Sequence, residues 1–266
     1  MASGDVDLLV ATAREAGELA LRYYGRNPRT WQKEGGSVVS EADKAVDRLL
    51  HERLRSARPH YDWRSEEDDE PVQPGSGLAF IADPIDGTRD FLAGGREWTV
   101  ALAVVDKGRP TAGVVFAPVL GELYAATAGG GAFWNAAPVR ASVASSLVGA
   151  RIAGPRRFAR VALDAAGVPA SALRFVPSLA YRLTLVAAGA VDVAIAGPNA
   201  RDWDLAAADL LVHEAGAVLV GLDGRTPVYG TAGNTHPTLI AAQAGIAGEV
   251  RALIRGYETR LHGETR

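Results

Sequence analysis

The chain has 266 residues, 48% of them apolar, with 30 glycines, no cysteine and a formal net charge of −3 from 28 basic and 31 acidic side chains. That length can bury a large core, as one domain or two fused halves. The lack of cysteine excludes disulfides, a thiolate nucleophile and thiolate metal sites, and the near-balanced charge excludes a strong field for gathering nucleic acid, so no nucleic-acid partner is expected. No basic segment followed by an apolar core opens the chain, and no apolar run reaches membrane-spanning length. The expectation is a cytoplasmic protein with no membrane contact.

In chain order, Val6, Leu8, Leu9, Ala13, Ala16, Leu19, Ala20 and Tyr23 recur at helical spacing, predicting a helix capped near Asp5 and stopped at Gly25. Lys33 to Ser37 is polar and Gly-rich, a mobile loop or hairpin tip. A second helix is predicted from the cap Ser40 to about Arg58, burying Ala42, Ala45, Val46, Leu49, Leu50 and Leu54. The acidic run Glu66 to Glu70 precedes a Pro/Gly-rich connector, Pro71 to Gly77, and Asp68, Asp69 and Glu70 read as a solvated loop.

Leu78 to Ala82 reads as a buried strand that delivers Asp83-Pro84-Ile85-Asp86-Gly87-Thr88 at its carboxyl end. Pro84 cannot donate a ladder hydrogen bond and is expected to end the strand, while Gly87 permits a sharp turn whose following amides favour an anion. Two hard oxygen ligands beside an anion cradle point to a divalent cation and a phosphate. Trp98 to Val105, Thr111 to Ala117 and Glu122 to Thr127 read as an antiparallel meander, and Gly129 to Gly131 as a turn.

After Ser142 to Ser146 the pattern changes, dividing the chain into an α+β half, 1–141, and an α/β half, 142–266, packed closely enough to count as one domain. Val148 to Ala153, Arg174 to Val176 and Val191 to Ala196 read as strands, with helices at Phe158 to Ala166 and Ser178 to Ala188. Gly197 to Asp202 is a polar loop into a helix that carries Asp204 in its first turn and stops at Gly216. Asp202 has two readings, helix N-cap or substrate contact.

Carboxylates from separate elements must converge to hold metals around one phosphate, and Glu66 with Glu67 as its alternate, Asp83, Asp86 and Asp204 are the candidates. Ser37 to Asp43, Ser65-Glu66-Glu67, Asp83 to Thr88, and Trp203-Asp204 through Gly216 together resemble the inositol monophosphatase superfamily, over nearly the whole chain. The resemblance implies a layered αβαβα fold and Mg²⁺-dependent, Li⁺-sensitive hydrolysis of a small sugar or polyol phosphate such as inositol 1-phosphate, by direct attack of metal-activated water. It implies one Mg²⁺ at Glu66, Asp83 and the Ile85 carbonyl and a second at Asp83, Asp86 and Asp204. Asp43 would stand behind a third. Glu66 and Thr88 would orient the water, with the Thr88 proton passing to Glu66. The amides of Gly87 and Thr88 would bind phosphate, Lys33 would sit on a flap, and the molecule would be a homodimer.

The loop 197–202 lacks the acidic residue with which the family's inositol phosphatases bind sugar hydroxyls. Arg182 falls where the related 3'(2'),5'-bisphosphate nucleotidases carry a lysine, so it reads either as a contact for the second phosphate of 3'-phosphoadenosine 5'-phosphate or as an exposed helix arginine. Some bacterial members are partners of the transcription machinery, which leaves a binding role as a further alternative.

Overall fold

The structure is a computed structural model that describes residues 2–33, 36–68, 77–169, 173–231 and 235–263. Asp69, Glu70 and the connector up to residue 76 lie outside them, as do two residues of the predicted hairpin tip, Glu34 and Gly35.

Helix α1 (Ala2–Leu21) leads to the hairpin β1 (Thr30–Gln32) and β2 (Val38–Ser40), then α2 (Glu41–Ala57) and β3 (Asp62–Ser65). The site follows, on β4 (Leu78–Asp86) and the short α3 (Thr88–Leu92). Strands β5 (Thr99–Asp106), β6 (Arg109–Ala117), β7 (Glu122–Thr127), β8 (Gly131–Trp134) and β9 (Ala137–Val139) extend the sheet as the predicted antiparallel meander. The seven strands run in order β3-β4-β5-β6-β7-β8-β9, and only β3 and β4 pair in parallel.

The second half contains β10 (Ile152–Ala153), α4 (Arg156–Ala166), α5 (Leu179–Ala187), β11 (Val193–Ala196), β12 (Ala200–Arg201), α6 (Asp202–Glu214), β13 (Val218–Gly221), β14 (Thr235–His236), β15 (Leu239–Ala242) and α7 (Ala244–Gly263). Its sheet is ordered β10-β11-β15-β13, with a parallel pair only at β10 and β11. Both of its pairs involving β15 are antiparallel.

Strand alternation builds the layers. On β5, Val100, Leu102 and Val104 face α1 and α2, whereas Ala101, Ala103 and Val105 join a core with α5 and α6. On β11, Ala194 and Ala196 face that same central core, and Val193 and Ile195 face α4 and α7. The result is helix, sheet, helix, sheet, helix, with the central core shared by both halves of the chain. Small side chains make that layer thin: a Cβ on Gly113 would lie 3.0 Å from the Ala207 carbonyl oxygen, so α6 packs almost directly on β6.

Several local expectations are corrected. Helix α1 begins at Ala2, before Asp5, and Asp5 is buried, bonded to Arg58 Nε at 2.9 Å and the Tyr61 hydroxyl at 3.0 Å. It is therefore a tertiary anchor and not the cap. Pro84 does not end β4, which continues to Asp86 through a register shift between Asp83 and Asp86 that spares the proline its missing donor. Val148 to Ala153 shrinks to the two residues of β10, and Arg174 makes only an isolated bridge to Ala153. The 197–202 loop contains β12, paired with β14.

Candidate active site

Three carboxylates converge where β4 meets α6: one oxygen each of Asp83, Asp86 and Asp204 lie within 4.8 Å of one another. The β4 irregularity at Pro84 carries Asp83 and Asp86 to one end of the sheet. Asp204 reaches them from the first turn of α6, where its Oδ2 accepts from the Arg201 amide at 2.7 Å. Glu66 follows β3, and its amide donates to the Ala82 carbonyl at 3.1 Å, tying it beside the strand that bears Asp83.

The electrostatics are those of negative groups crowded out of water. Burial, then Glu66, Asp86, Asp204 and Asp43, push Asp83 well above the usual carboxylate range. Burial and then Asp86 do the same to Asp204. Asp86 is raised by burial against the opposing hydrogen bonds of Ser178, Ala180 and Leu179. Glu66 is pushed up to about 7 by burial, with Lys33 opposing.

Both oxygens of Asp83 are buried without a hydrogen-bond partner. An ionised carboxylate left in that state is costly, and a cation is the partner that Asp83 lacks. The residues therefore fit a divalent metal, with hard oxygens on three elements. Asp83, Asp86 and Asp204 would hold it, with Glu66 and the Ile85 carbonyl as neighbouring oxygen donors.

Around the carboxylates stands a shell of hydrogen bonds. Asp43 is buried in a capping box at the start of α2, its Oδ2 accepting from the Ser40 amide at 2.7 Å and the Ser40 hydroxyl at 2.5 Å. Burial nevertheless raises its pKa. The Thr88 hydroxyl lies 3.0 Å from both Asp43 Oδ1 and the Ile85 carbonyl oxygen. Its single proton therefore goes to one of these and not to Glu66, which corrects the expected relay. Gly87, at φ +94°, makes the sharp turn into α3, and a Cβ there would lie 3.4 Å from the Ser178 nitrogen.

Lys33 projects from the hairpin into this region. Its ammonium sits 2.5 Å from Glu67 Oε1 and 3.6 Å from Glu66 Oε1, and it donates to the Glu66 carbonyl at 3.0 Å. Lys44 of α2 lies 3.0 Å from Glu67 Oε2, so Glu67, nearly fully buried, joins the hairpin to α2. The hairpin residue that was expected to be mobile is thus anchored by charge.

Two substrate-contact expectations change. The Arg182 guanidinium donates to the Val176 carbonyl at 2.6 and 3.1 Å and to the Ile195 carbonyl at 3.2 Å, so it is not an exposed helix arginine, and these bonds use three of its five N–H donors. Burial lowers its pKa against the pull of Asp86 and Asp204, which places its charge near the cluster. Asp202 is the first helical residue of α6, with Arg201 as N-cap, and its two oxygens are occupied by His236 Nε2 and the Gly230 amide, each at 2.7 Å. It ties down the segment after β13 instead of facing a substrate. Arg156 and Arg157 are exposed in the first turn of α4, with Arg157 over the ring of Phe158.

Glu67, a candidate ligand beside Glu66, is instead paired with Lys33 and Lys44, and sequence reasoning missed Ser178, whose hydroxyl lies 2.6 Å from Asp86 Oδ2. Ser178 carried only the signal of a helix cap, and nothing in the chain links positions 86 and 178.

A model of the inositol monophosphatase family matches residues 5–255. The chain is 30% identical over 260 residues to the Nus factor SuhB of Xylella fastidiosa, covering 94% of each. It is 33% identical to the histidinol-phosphatase of Chlorobaculum parvum, covering 84% of this chain and 88% of that one. Similarity to the inositol-1-monophosphatase of Mesorhizobium japonicum is 32%, over 82% and 86%. In three dimensions it matches the Thermotoga maritima IMPase at a TM-score of 0.84 with 26% identity, covering 97% of this chain and 99% of that one.

Proposed function

Since the chain belongs to the inositol monophosphatase family and is thereby a metal-dependent phosphomonoester hydrolase, we propose that it hydrolyses inositol 1-phosphate with Mg²⁺, by direct attack of water on phosphorus. The observation that carries this reading is Asp83, a buried carboxylate with no partner of its own, set among Asp86 and Asp204. When bound, the divalent cation supplies positive charge that acidifies water and neutralises the phosphate.

The protein's own groups do the rest. Glu66, tied beside the strand that bears Asp83, is the carboxylate that would take a proton from the attacking water. With Asp43 Oδ1 and the Ile85 carbonyl as the two acceptors for its proton, the Thr88 hydroxyl keeps lone pairs to accept from water and orient it. Asp43 acts by fixing that rotation. The amides of Gly87 and Thr88 are placed to meet phosphate oxygens. Lys33 adds a positive charge beside Glu66, which favours an approaching dianion.

Inositol 1-phosphate is supported by the similarity to an inositol-1-monophosphatase. The 33% identity to a histidinol-phosphatase, against 32% to the inositol-1-monophosphatase, makes histidinol phosphate the first competitor. Phosphate release from inositol 1-phosphate, histidinol phosphate and 3'-phosphoadenosine 5'-phosphate, with Mg²⁺ and then added Li⁺, tests this. The expected result is the highest kcat/KM for inositol 1-phosphate and inhibition by Li⁺. A higher value for either competitor overturns the substrate, and hydrolysis that survives in Asp86→Asn and Asp204→Asn overturns the site.

Similarity to a protein named as a Nus factor supports a second reading, in which the chain also contacts the transcription machinery. Retention of purified transcription complexes by the immobilised full chain would support it, and their absence from the retained fraction would argue against it.

A further inference from the structure

We propose that Ser178 is a positioning residue for the metal ligand Asp86, which it holds across the junction between the two halves of the chain; this rests on the metal-dependent site described above. Ser178 is the N-cap of α5, and a cap needs only to accept from an early helical amide, which it does from Tyr181 at 2.9 Å. Its other contacts exceed that task. The hydroxyl lies 2.6 Å from Asp86 Oδ2 and 3.0 Å from Thr99 Oγ1, with all three residues buried.

Proton counting sets the directions. A carboxylate can only accept, so the single Ser178 proton goes to Asp86, and Thr99 must donate in its own contact with Ser178. The two lone pairs of Ser178 are then taken by Tyr181 and Thr99, and its rotation is fully determined. The Ala180 amide also donates to Asp86 Oδ2, at 2.6 Å. The Leu179 amide bonds the same carboxylate, so three donors from the start of α5 fix the orientation in which Asp86 would meet a cation. Residues in this supporting layer commonly change metal affinity by about 10- to 100-fold when removed.

The arrangement also joins elements from the two halves of the chain at one ligand. Asp86 is delivered by β4 of the first half, and its donors stand on Ser178 and α5 of the second half. Gly87, at φ +94°, makes the turn that brings β4 up to Ser178, whose nitrogen would lie in ordinary contact, 3.4 Å, with a Cβ at 87.

The test is calorimetric titration of Mn²⁺ into the metal-free full chain. Ser178→Ala is expected to weaken Mn²⁺ binding by about 10-fold or more, and Ser178→Thr, which keeps the hydroxyl, by no more than about 3-fold. An alanine variant within about 2-fold of wild type, or a threonine variant as weak as alanine, reduces Ser178 to a helix cap and overturns the proposal. If Ser178→Ala fails to fold, Thr99→Val serves instead. It leaves the Tyr181 cap bond intact, and about 3-fold weakening is expected, with unchanged affinity overturning the proposal. A wild-type chain that takes no Mn²⁺ sinks the metal site itself and this proposal with it, whereas wild-type binding that Ser178→Ala does not alter sinks this proposal alone.

Discussion

Asp83 and Asp192 are both buried aspartates on or beside a strand, yet the fold treats them in opposite ways. Asp192 receives Arg151 Nη2 at 2.8 Å on one oxygen and Arg151 Nε at 3.0 Å on the other, together with the Ser142 hydroxyl at 2.6 Å. Hydrogen bonding to Arg151 is the main reason its pKa falls to about 2. Asp83 has neighbours of its own sign and no donor, and it is pushed the other way. Glu67, held between Lys33 and Lys44, belongs with Asp192. The contrast separates acids that serve the fold, each supplied with a cationic side chain, from acids that await a cation from solution.

The largest effect that would break this contrast is expected at Asp83. Asp83→Asn should lower phosphate release by about 10³-fold or more, because ligand charge is lost at the reacting centre. It should leave the metal-free melting temperature unchanged or higher, since the amide is isosteric with the protonated acid that burial favours. Mg²⁺ should then no longer raise the melting temperature as it does for wild type. A metal-free Asp83→Asn protein that melts well below wild type would mean that Asp83 is a structural acid after all.

Glu67→Gln should destabilise by about 2 kcal/mol, because two ammonium groups lose a buried counter-charge. Urea unfolding measures this, and a loss near zero would remove Glu67 from the structural class. Asp192→Asn should cost about 1–2 kcal/mol, discounted because Arg151 is half exposed and screened. Its folded pKa is depressed, so the contribution is present above the unfolded value near ~3.9 and lost as pH falls toward about 2. The gap between wild type and variant should therefore close over that acid range, with phosphatase activity unaffected at neutral pH.

The smallest effect, on the order of 1 kcal/mol after screening, is expected at Glu66. Its folded pKa is raised to about 7. The stability it contributes in the metal-free protein is thus fully present below the unfolded value near ~4.3 and lost as pH rises through 7. Melting curves of wild type and Glu66→Gln without metal should diverge over that range, with wild type falling behind. Parallel curves would mean that Glu66 titrates as an ordinary surface acid.

Much of this was legible in the chain because its causes are local. Ser40 announces itself as a cap, and the structure adds the reciprocal bond from Asp43 three residues on. The meander follows from alternation interrupted by turn residues, and Asp204 sits in the first turn of α6 as its spacing from Gly216 requires. Errors fell where a distant partner overrode a local rule. Asp5 has the look of a cap but binds Arg58 and Tyr61, more than 50 residues away. Pro84 should end a strand, but a register shift accommodates it. Arg182 looked free because the carbonyls it serves belong to Val176 and Ile195, outside its own helix.

The amino-acid sequence by itself determined the elements and the supply of acids: backbone restriction, capping and hydrophobic period act within a few residues, and Asp83 to Thr88 keeps its order whatever surrounds it. Only the tertiary structure decided the state of each acid. Packing α5 and α6 against β4 removed the water, brought Ser178 to Asp86 and Thr88 to Asp43, and left Asp83 without a donor. Protonation and cation binding depend on that burial and on partners tens of residues away, and no spacing along the chain records either.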